Sequence, residues 1–364
     1  MTKAKKILGY LGIAIVTLII TLFLMIRLST YHPAEIEAAE MSCPADTPKL
    51  KPGQSLKVMS WNVQYMAGKN YVFYYDLLDG SGPDVRPERK DIEATFSEVA
   101  RVIREENPDV VLLQEVDQGA KRTDKEDQHA RLLEMLKDQK YACHAQAFYW
   151  KGAFIPHPKV MGSVGLKLST FSRFHIDSAT RRSLPMLKQD WLTDQFYLKR
   201  TILETALSVE GRPQPMVALN THLDAFAQGT DTMERQVATL SARIAELEAT
   251  KTPWVSGGDY NLLPPGDAYD RLIPEKRAYY KPKSELEPLF TIYQAVPSAA
   301  QTQGADAAKW FTHFPNDPTI KAPDRTIDFI FVSRHLTLGN HSVRQKDTLK
   351  ISDHLPILAE VTLQ

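Results

Sequence analysis

Val110-Val111-Leu112-Leu113 is a continuous apolar run, and a strand written that way has no face it can show to water. It must be covered on both sides. Just upstream, Ile92, Phe96, Val99 and Ile103 recur at helical spacing, and Pro108 closes the stretch. The same alternation continues along the chain. Residues 57–61, 163–168, 327–332 and 356–363 read as strands, and Leu132, Leu133 and Leu136 suit a helix. Met233, Val237, Leu240, Ile244 and Leu247 mark the clearest amphipathic helix. Residues 201–209 and 216–219 read as a strand pair around Gly211-Arg212-Pro213. The stretch 55–364, about 310 residues, exceeds what one hydrophobic core usually serves. A two-sheet sandwich with outer helices gives each mixed sheet two covered faces, and it is the architecture expected here.

The N-terminus differs in kind. Residues 7–28, opening on Ile7 and closing on Leu28, form an apolar run of 22 residues with one charge, Arg27. About 20 apolar residues cross a bilayer core, whereas a secretory signal core holds roughly 7–15. Segment 1–28 is therefore expected to be a basic N-terminus followed by a transmembrane anchor. Lys3, Lys5 and Lys6 precede the run, while Glu35, Glu37 and Glu40 follow it before the next positive charge at Lys49. That asymmetry predicts a single-pass protein with its N-terminus cytoplasmic and its large domain outside. Residues 29–54, punctuated by Pro33, Pro44, Pro48, Pro52 and Gly53, read as a linker.

Of the 44 basic residues, four lie within 1–28, which leaves 40 against 44 acidic ones in the remainder. The basic excess that nonspecific duplex binding draws on is missing from that composition. Cys43 and Cys143 are the only cysteines. In an oxidising compartment they can pair; as free thiols they fit the sequence equally well, and neither has metal-ligand spacing.

Polar residues with chemistry to offer share one position: each sits at or just past the end of an apolar run. Asn62 follows 57–61, Glu115 follows 110–114, and His222 and Asp224 follow 216–220. Asp259 and Asn261 close Ser256-Gly257-Gly258-Asp259-Tyr260-Asn261, and Ser352-Asp353-His354 precedes the last strand. Asp328 lies inside an apolar run, where an unpaired charge is costly, so a partner is required. Taken singly, each has a plainer reading: Asp-x-Asn after two glycines is a common turn, Glu115 a solvated strand end, His222 a bonded loop residue. Arg200 suits either a phosphate contact or a surface ion pair.

In order, Trp61-Asn62-Val63, Leu113-Gln114-Glu115, Asn220-Thr221-His222-Leu223, Gly258-Asp259-Tyr260-Asn261, Thr326-Ile327-Asp328-Phe329-Ile330 and Ser352-Asp353-His354 resemble the endonuclease/exonuclease/phosphatase superfamily. That group includes deoxyribonuclease I, abasic-site endonucleases, neutral sphingomyelinases and inositol-polyphosphate phosphatases. The resemblance spans nearly all of 55–364. It implies a four-layer α/β sandwich with two central mixed sheets, and a divalent metal, Mg²⁺ or Mn²⁺, at the mouth between them. It implies Glu115, Asn62 and Asp353 around the metal, with Glu115 the principal ligand. Asp259 resembles the carboxylate that orients or deprotonates water, Asn261 an amide donor, and His222 an imidazole on a phosphate oxygen. Asp328 and His354 resemble a buried carboxylate–imidazole pair. The implied reaction is in-line attack of water on phosphorus.

The substrate is less defined. Tyr65, Tyr71, Phe73, Tyr74 and Tyr75 form one aromatic cluster and Phe148-Tyr149-Trp150 another; such groups stack on bases or sugars, meet lipid, or pack a loop on a sheet edge. A lipid head group or other small phosphoester is favoured by the anchor and the charge balance, with DNA or RNA as the alternative. A tethered, non-catalytic binding protein of the same fold is a second alternative. No protein partner follows from the sequence.

Overall fold

The computed structural model describes residues 3–77, 79–225 and 227–364, so residues 1 and 2 of the expected anchor segment lie outside the description. In chain order the strands are β1 (Ile36–Ala38), β2 (Glu40–Ser42), β3 (Ser55–Asn62), β4 (Val110–Asp117), β5 (Cys143–Ile155), β6 (Gly162–Ser172) and β7 (Ile176–Ser183). They continue as β8 (Thr201–Leu207), β9 (Met216–His222), β10 (Trp254–Asp259), β11 (Gln294–Val296), β12 (Asp328–Val332), β13 (Leu336–Val343) and β14 (Ile357–Leu363). The helices that matter here are α1 (Lys3–Ser29), α2 (Arg89–Glu106), α3 (Gln128–Met135), α4 (Trp191–Phe196) and α5 (Thr232–Ala249).

Two seven-stranded sheets result, ordered β1-β7-β8-β9-β10-β12-β11 and β13-β14-β3-β4-β6-β5-β2. Both are mixed. β3 runs parallel to β4 and β9 parallel to β10, while the other pairings are antiparallel. Three cores separate four layers. Val58, Leu112, Ala218, Val255, Ile330 and Ile357 belong to the core between the sheets. Phe96, Val99 and Ile103 of α2 pack with Val111 and Leu113 on one outer face. On the other, Val237, Leu240 and Ile244 of α5 pack with Leu219 and Phe331. Full burial of each such side chain contributes about 1.5–3 kcal/mol. This is the four-layer sandwich with two central sheets that the motifs imply.

Local signals explain the boundaries. α2 stops at Asn107, which adopts a left-handed conformation (φ 50°) and returns its N–H to Ile103, and Pro108 then forbids continuation. Asp127 caps α3 by accepting the Ala130 N–H. Residues 29–54, expected as a linker, lie against the domain: β1 pairs with β7 and β2 with β5, one edge strand per sheet. Leu50 is fully buried, and Cys43 is disulfide-bonded to Cys143 at the start of β5. α1 is long and apolar enough to cross a membrane, and no residue along it is buried in the protein.

Candidate active site

The inward faces of the strands carry the site. β9, β10 and β12 lie side by side, and their register sets Asp259 directly between His222 and Asp328. From the opposite sheet, β3 ends at Asn62. The Asn62 amide crosses the gap and donates through Nδ2 to Asp259 Oδ2 (3.0 Å) and to Glu115 Oε1 (3.2 Å).

Glu115 reaches this place through a backbone irregularity. Along β4, Leu112 faces the inter-sheet core and Leu113 faces α2, so strict alternation would turn residue 115 toward the helices. The register instead slips between Leu113 and Val116, and Glu115 sits at φ 58°. A bulge of this kind re-aims a side chain, and left-handed backbone in a non-glycine residue costs on the order of 1 kcal/mol. Asn261 is also left-handed, at φ 51°. Its N–H donates to Asp259 Oδ1 (2.9 Å), and its side-chain amide is turned onto the Leu223 carbonyl (3.2 Å).

His354 arrives on the loop before β14. Trp61 Nε1 donates to its carbonyl (2.9 Å), its N–H donates to Ser352 Oγ (3.2 Å), and Ser352 Oγ donates to the Asn62 carbonyl (2.8 Å). The ring is thereby held over the end of β3. Its Nδ1 lies 2.9 Å from Asp328 Oδ2, which supplies the partner that the buried carboxylate requires. Its Nε2 lies 3.5 Å from Asp259 Oδ2, and His222 Nε2 lies 3.3 Å from the same oxygen. One carboxylate oxygen thus faces an amide and two imidazoles. Asp353 joins through Gln64, whose Nε2 donates to it (3.1 Å) and whose N–H donates to Asn62 Oδ1 (3.0 Å).

The charges of this cluster are strongly interdependent. Burial raises the Asp259 carboxyl, with Asp328 and Glu115 adding to the rise and His354 opposing it. Burial and the Asp353 charge likewise raise Glu115. Burial alone would lower His354, but Asp328, Asp259 and Asp353 together raise it well above the ordinary imidazole range. His222 moves the other way, because burial and the Arg200 and His354 charges disfavour a further cation. A neutral His222 that donates from Nε2 to Asp259 leaves Nδ1 to accept from Tyr149 OH (3.3 Å).

The eight residues to which the resemblance gives a role therefore lie in one connected network at the mouth between the sheets. Three residues that the sequence named without a definite role lie beside them. Tyr149 stacks edge-on against His222 and is fully buried, on the same inward stripe of β5 as Cys143, Ala145 and Ala147. Arg200 is buried, not a surface ion pair: its guanidinium sits 5.2 Å from the Tyr149 ring centre, and its Nε and Nη1 have no hydrogen-bond partner among the described residues. Asp224, also at the end of β9, accepts from Tyr197 OH (3.3 Å). Beside Asp353, burial pushes Asp76 up to about 7 and Lys69 down to about 8.

The donor set suits a hard divalent cation. Carboxylate and amide oxygens are the ligands such ions take, and carboxyl groups raised by mutual repulsion are what a bound cation relieves. Glu115 is the carboxylate beside the Asn62 side chain, which faces it through Nδ2 while its Oδ1 accepts from Gln64 N–H, and the Asp353 charge acts on it.

Comparison with known proteins bears on this arrangement. The chain resembles a crystal structure of an endonuclease/exonuclease/phosphatase from Beutenbergia cavernae at 23% identity and TM-score 0.57, covering 85% of this chain and 72% of that one. It resembles ANGEL2, described as a 2′,3′-cyclic phosphatase in complex with adenosine-2′,3′-vanadate, at 18% identity and TM-score 0.52, covering 92% and 99%. It resembles the human Nocturnin catalytic domain with bound sulfate at 16% identity and TM-score 0.51, covering 90% and 97%. At these identities the likeness shows the fold. No curated protein sequence matches the chain. The family model for the Endonuclease/Exonuclease/phosphatase family matches residues 59–354, a span that takes in every motif from Asn62 to His354. The chain belongs to the endonuclease/exonuclease/phosphatase family.

Proposed function

We propose that this protein is a membrane-anchored hydrolase that cuts a phosphoester by in-line attack of water. The observation that carries the reading is the convergence on Asp259 Oδ2 of Asn62 Nδ2, His222 Nε2 and His354 Nε2, all within 3.5 Å. Asp259 takes the proton of the attacking water. Asn62 and Asn261 hold that carboxylate in place. His354, kept cationic by Asp328, clamps a phosphate oxygen where negative charge develops. The unpartnered Nε and Nη1 of Arg200 serve a second oxygen, since a buried guanidinium without an acceptor favours an anion, and the Tyr149–His222 pair, its hydrogens already given to His222 Nδ1 and Asp259, lines that side of the site. Glu115, with Asp353 and Asn62, would hold Mg²⁺ or Mn²⁺, which supplies Lewis-acid stabilisation of the phosphate when bound.

In this reading α1 spans the bilayer with its N-terminus in the cytoplasm and the catalytic domain outside. The Cys43–Cys143 disulfide supports an oxidising compartment for that domain. A lipid head group or another small phosphoester is the favoured substrate. The test is hydrolysis of bis-nitrophenyl phosphate by the full chain with Mg²⁺ or Mn²⁺, alongside Asp259→Ala and His354→Ala. Loss of at least a hundredfold in both variants is expected, and undiminished rates in folded variants sink the enzyme reading. Duplex DNA, RNA, sphingomyelin and phosphoinositides assayed in parallel decide the substrate. Salt-sensitive cleavage of nucleic acid with inert lipids overturns the preference for a lipid head group.

A further inference from the structure

The join between α1 and the domain is fastened rather than free. Thr30 bridges Gly152 of β5, and Tyr31 packs edge-on against Phe148 with its ring centre 6.4 Å away. Within α1, Phe23 stacks on Trp191 of α4, ring centres 5.3 Å apart and planes 12° from parallel. α4 is tied in turn to β5, because Trp150 Nε1 donates to the Phe196 carbonyl (2.8 Å). The helix, α4 and the end of β5 therefore form one side of the molecule. That side carries large apolar groups in the open: Trp191 and Leu192 on α4, with Phe154 and Met161 flanking the β5–β6 turn, each 45–50% exposed. Lys151 and Lys159, both exposed, flank them.

The length of α1 gives a depth. Its 27 residues rise about 40 Å, against roughly 30 Å of bilayer hydrocarbon. Counted from Ile7, just past Lys6, about 30 Å of hydrocarbon ends near residue 27, so Phe23 lies about 6 Å inside the outer boundary. Trp191, stacked on Phe23, sits just beneath that boundary, within reach of the interface where tryptophan and flanking lysines are favoured. Resting on the reading of α1 as a membrane span, we infer that Trp191, Leu192, Phe154 and Met161 form a face that docks on the bilayer α1 crosses. The occupant is lipid, argued from continuity of this face with the anchor itself. A cavity of about 180 Å³ lined by Tyr74, Tyr75, Arg122, Trp150 and Val160 adjoins the same turn. Docking brings that aromatic and cationic cavity to the level of the phosphate head groups, so a lipid-borne ester reaches it without leaving the membrane.

The experiment reconstitutes the full chain in phosphatidylcholine/phosphatidylglycerol vesicles containing lipids brominated either near the head group or deep in the acyl chain. α1 contains no tryptophan, so the emission comes from the domain. Shallow bromines are expected to quench the wild type more than deep ones, and Trp191→Phe is expected to lose at least half of that quenching. Phe154→Trp is expected to add a quenched emitter. If Trp191→Phe is quenched as strongly as the wild type, and Phe154→Trp adds none, while alkaline carbonate leaves the chain in the vesicles, the docking face is refuted and the span stands. That outcome would leave a second copy or another protein as the occupant of the face. Release of the chain by carbonate refutes the span, and the docking face with it.

Discussion

Asp328→Asn isolates the pair that positions the imidazole proposed to clamp phosphate. The substitution keeps the size and one acceptor oxygen but removes the charge that lies 2.9 Å from His354 Nδ1. With an effective dielectric near 20, two unit charges at that separation interact by about 6 kcal/mol. The amide recovers about 1 kcal/mol through a neutral hydrogen bond, and Asp259, 3.5 Å from Nε2, still favours the cation. The remainder that reaches the transition state is about 4 kcal/mol, or a loss on the order of 10³-fold in kcat. KM should change little, because the charge acts where the phosphate gains negative charge rather than on ground-state binding. The assay is bis-nitrophenyl phosphate hydrolysis with folding checked by circular dichroism. His354→Ala and the double variant complete the cycle. Since Asp328 acts through His354, the double variant should be no slower than His354→Ala alone. A threefold or smaller loss in Asp328→Asn, or additive losses in the double variant, refutes the coupling.

Three other outcomes are expected. A cation held at Glu115 stabilises the fold by about 2.7 kcal/mol at a hundredfold excess over its Kd; urea unfolding with and without Mg²⁺ should show that gain in the wild type and most of it missing in Glu115→Gln, and equal gains would remove Glu115 as principal ligand. Breaking the Cys43–Cys143 bond, which closes a sequence separation of 100 residues, should lower stability by about 4–5 kcal/mol on the chain-entropy model, read as a drop in urea midpoint on reduction or in Cys143→Ser. Asp317 lies 2.5 Å from Lys276; burial would raise its carboxyl, but the Lys276 and Thr319 hydrogen bonds win and hold it down at about 2. Its folded value is thus below its unfolded one, so its contribution of about 2 kcal/mol is full above pH ~4 and is lost as pH falls through about 2. Asp317→Asn should flatten that part of the acid-unfolding curve, and an unchanged slope contradicts the pairing.

The members of the candidate cluster were readable from sequence because a polar residue ending an apolar run is conspicuous, as at Asn62, Glu115 and Asp259. Asp328 announced its need for a partner by sitting inside such a run. Neighbourhood was not readable. That Asp259 lies between His222 and Asp328 depends on β10 pairing with β9 and β12, segments joined by long connections. β1 and β2 have three residues each, too few to show a period. β7, Ile-Asp-Ser-Ala-Thr-Arg-Arg-Ser, hides behind its composition, because only some of its positions are buried and its Arg181 is one of them. The cysteine pair carried no spacing signal, and Arg200 gave no hint of being buried.

The two-residue period of a strand explains why the pieces meet at one level. Along the inward stripes, Val58, Leu112, Ala218, Val255 and Val332 form an apolar floor between the sheets. Two residues on come Ser60, Gln114, Asn220, Gly257 and Ile330, and there the sheets are bolted. Asn220 Nδ2 donates to the Leu113 and Ser169 carbonyls (3.0 Å each), and Gln114 Nε2 donates to Asn220 Oδ1 (2.7 Å). Gly257 permits the close approach, since a Cβ there would meet Leu112 Cδ1 at 2.8 Å and Ser60 Cβ at 3.2 Å. On four of these stripes a further step of two lands on Asn62, His222, Asp259 and Asp328. Glu115 is the exception: the next position after Gln114 on its own stripe is Val116, and only the bulge brings the carboxylate to the mouth. A hydrogen-bonded polar layer fixes sheet spacing more sharply than interchangeable apolar contacts do, although Gln114 Oε1 in it finds no partner among the described residues. The 3.0 Å contact from Asn62 to Asp259 spans the two sheets, so it is set by the layer immediately beneath it.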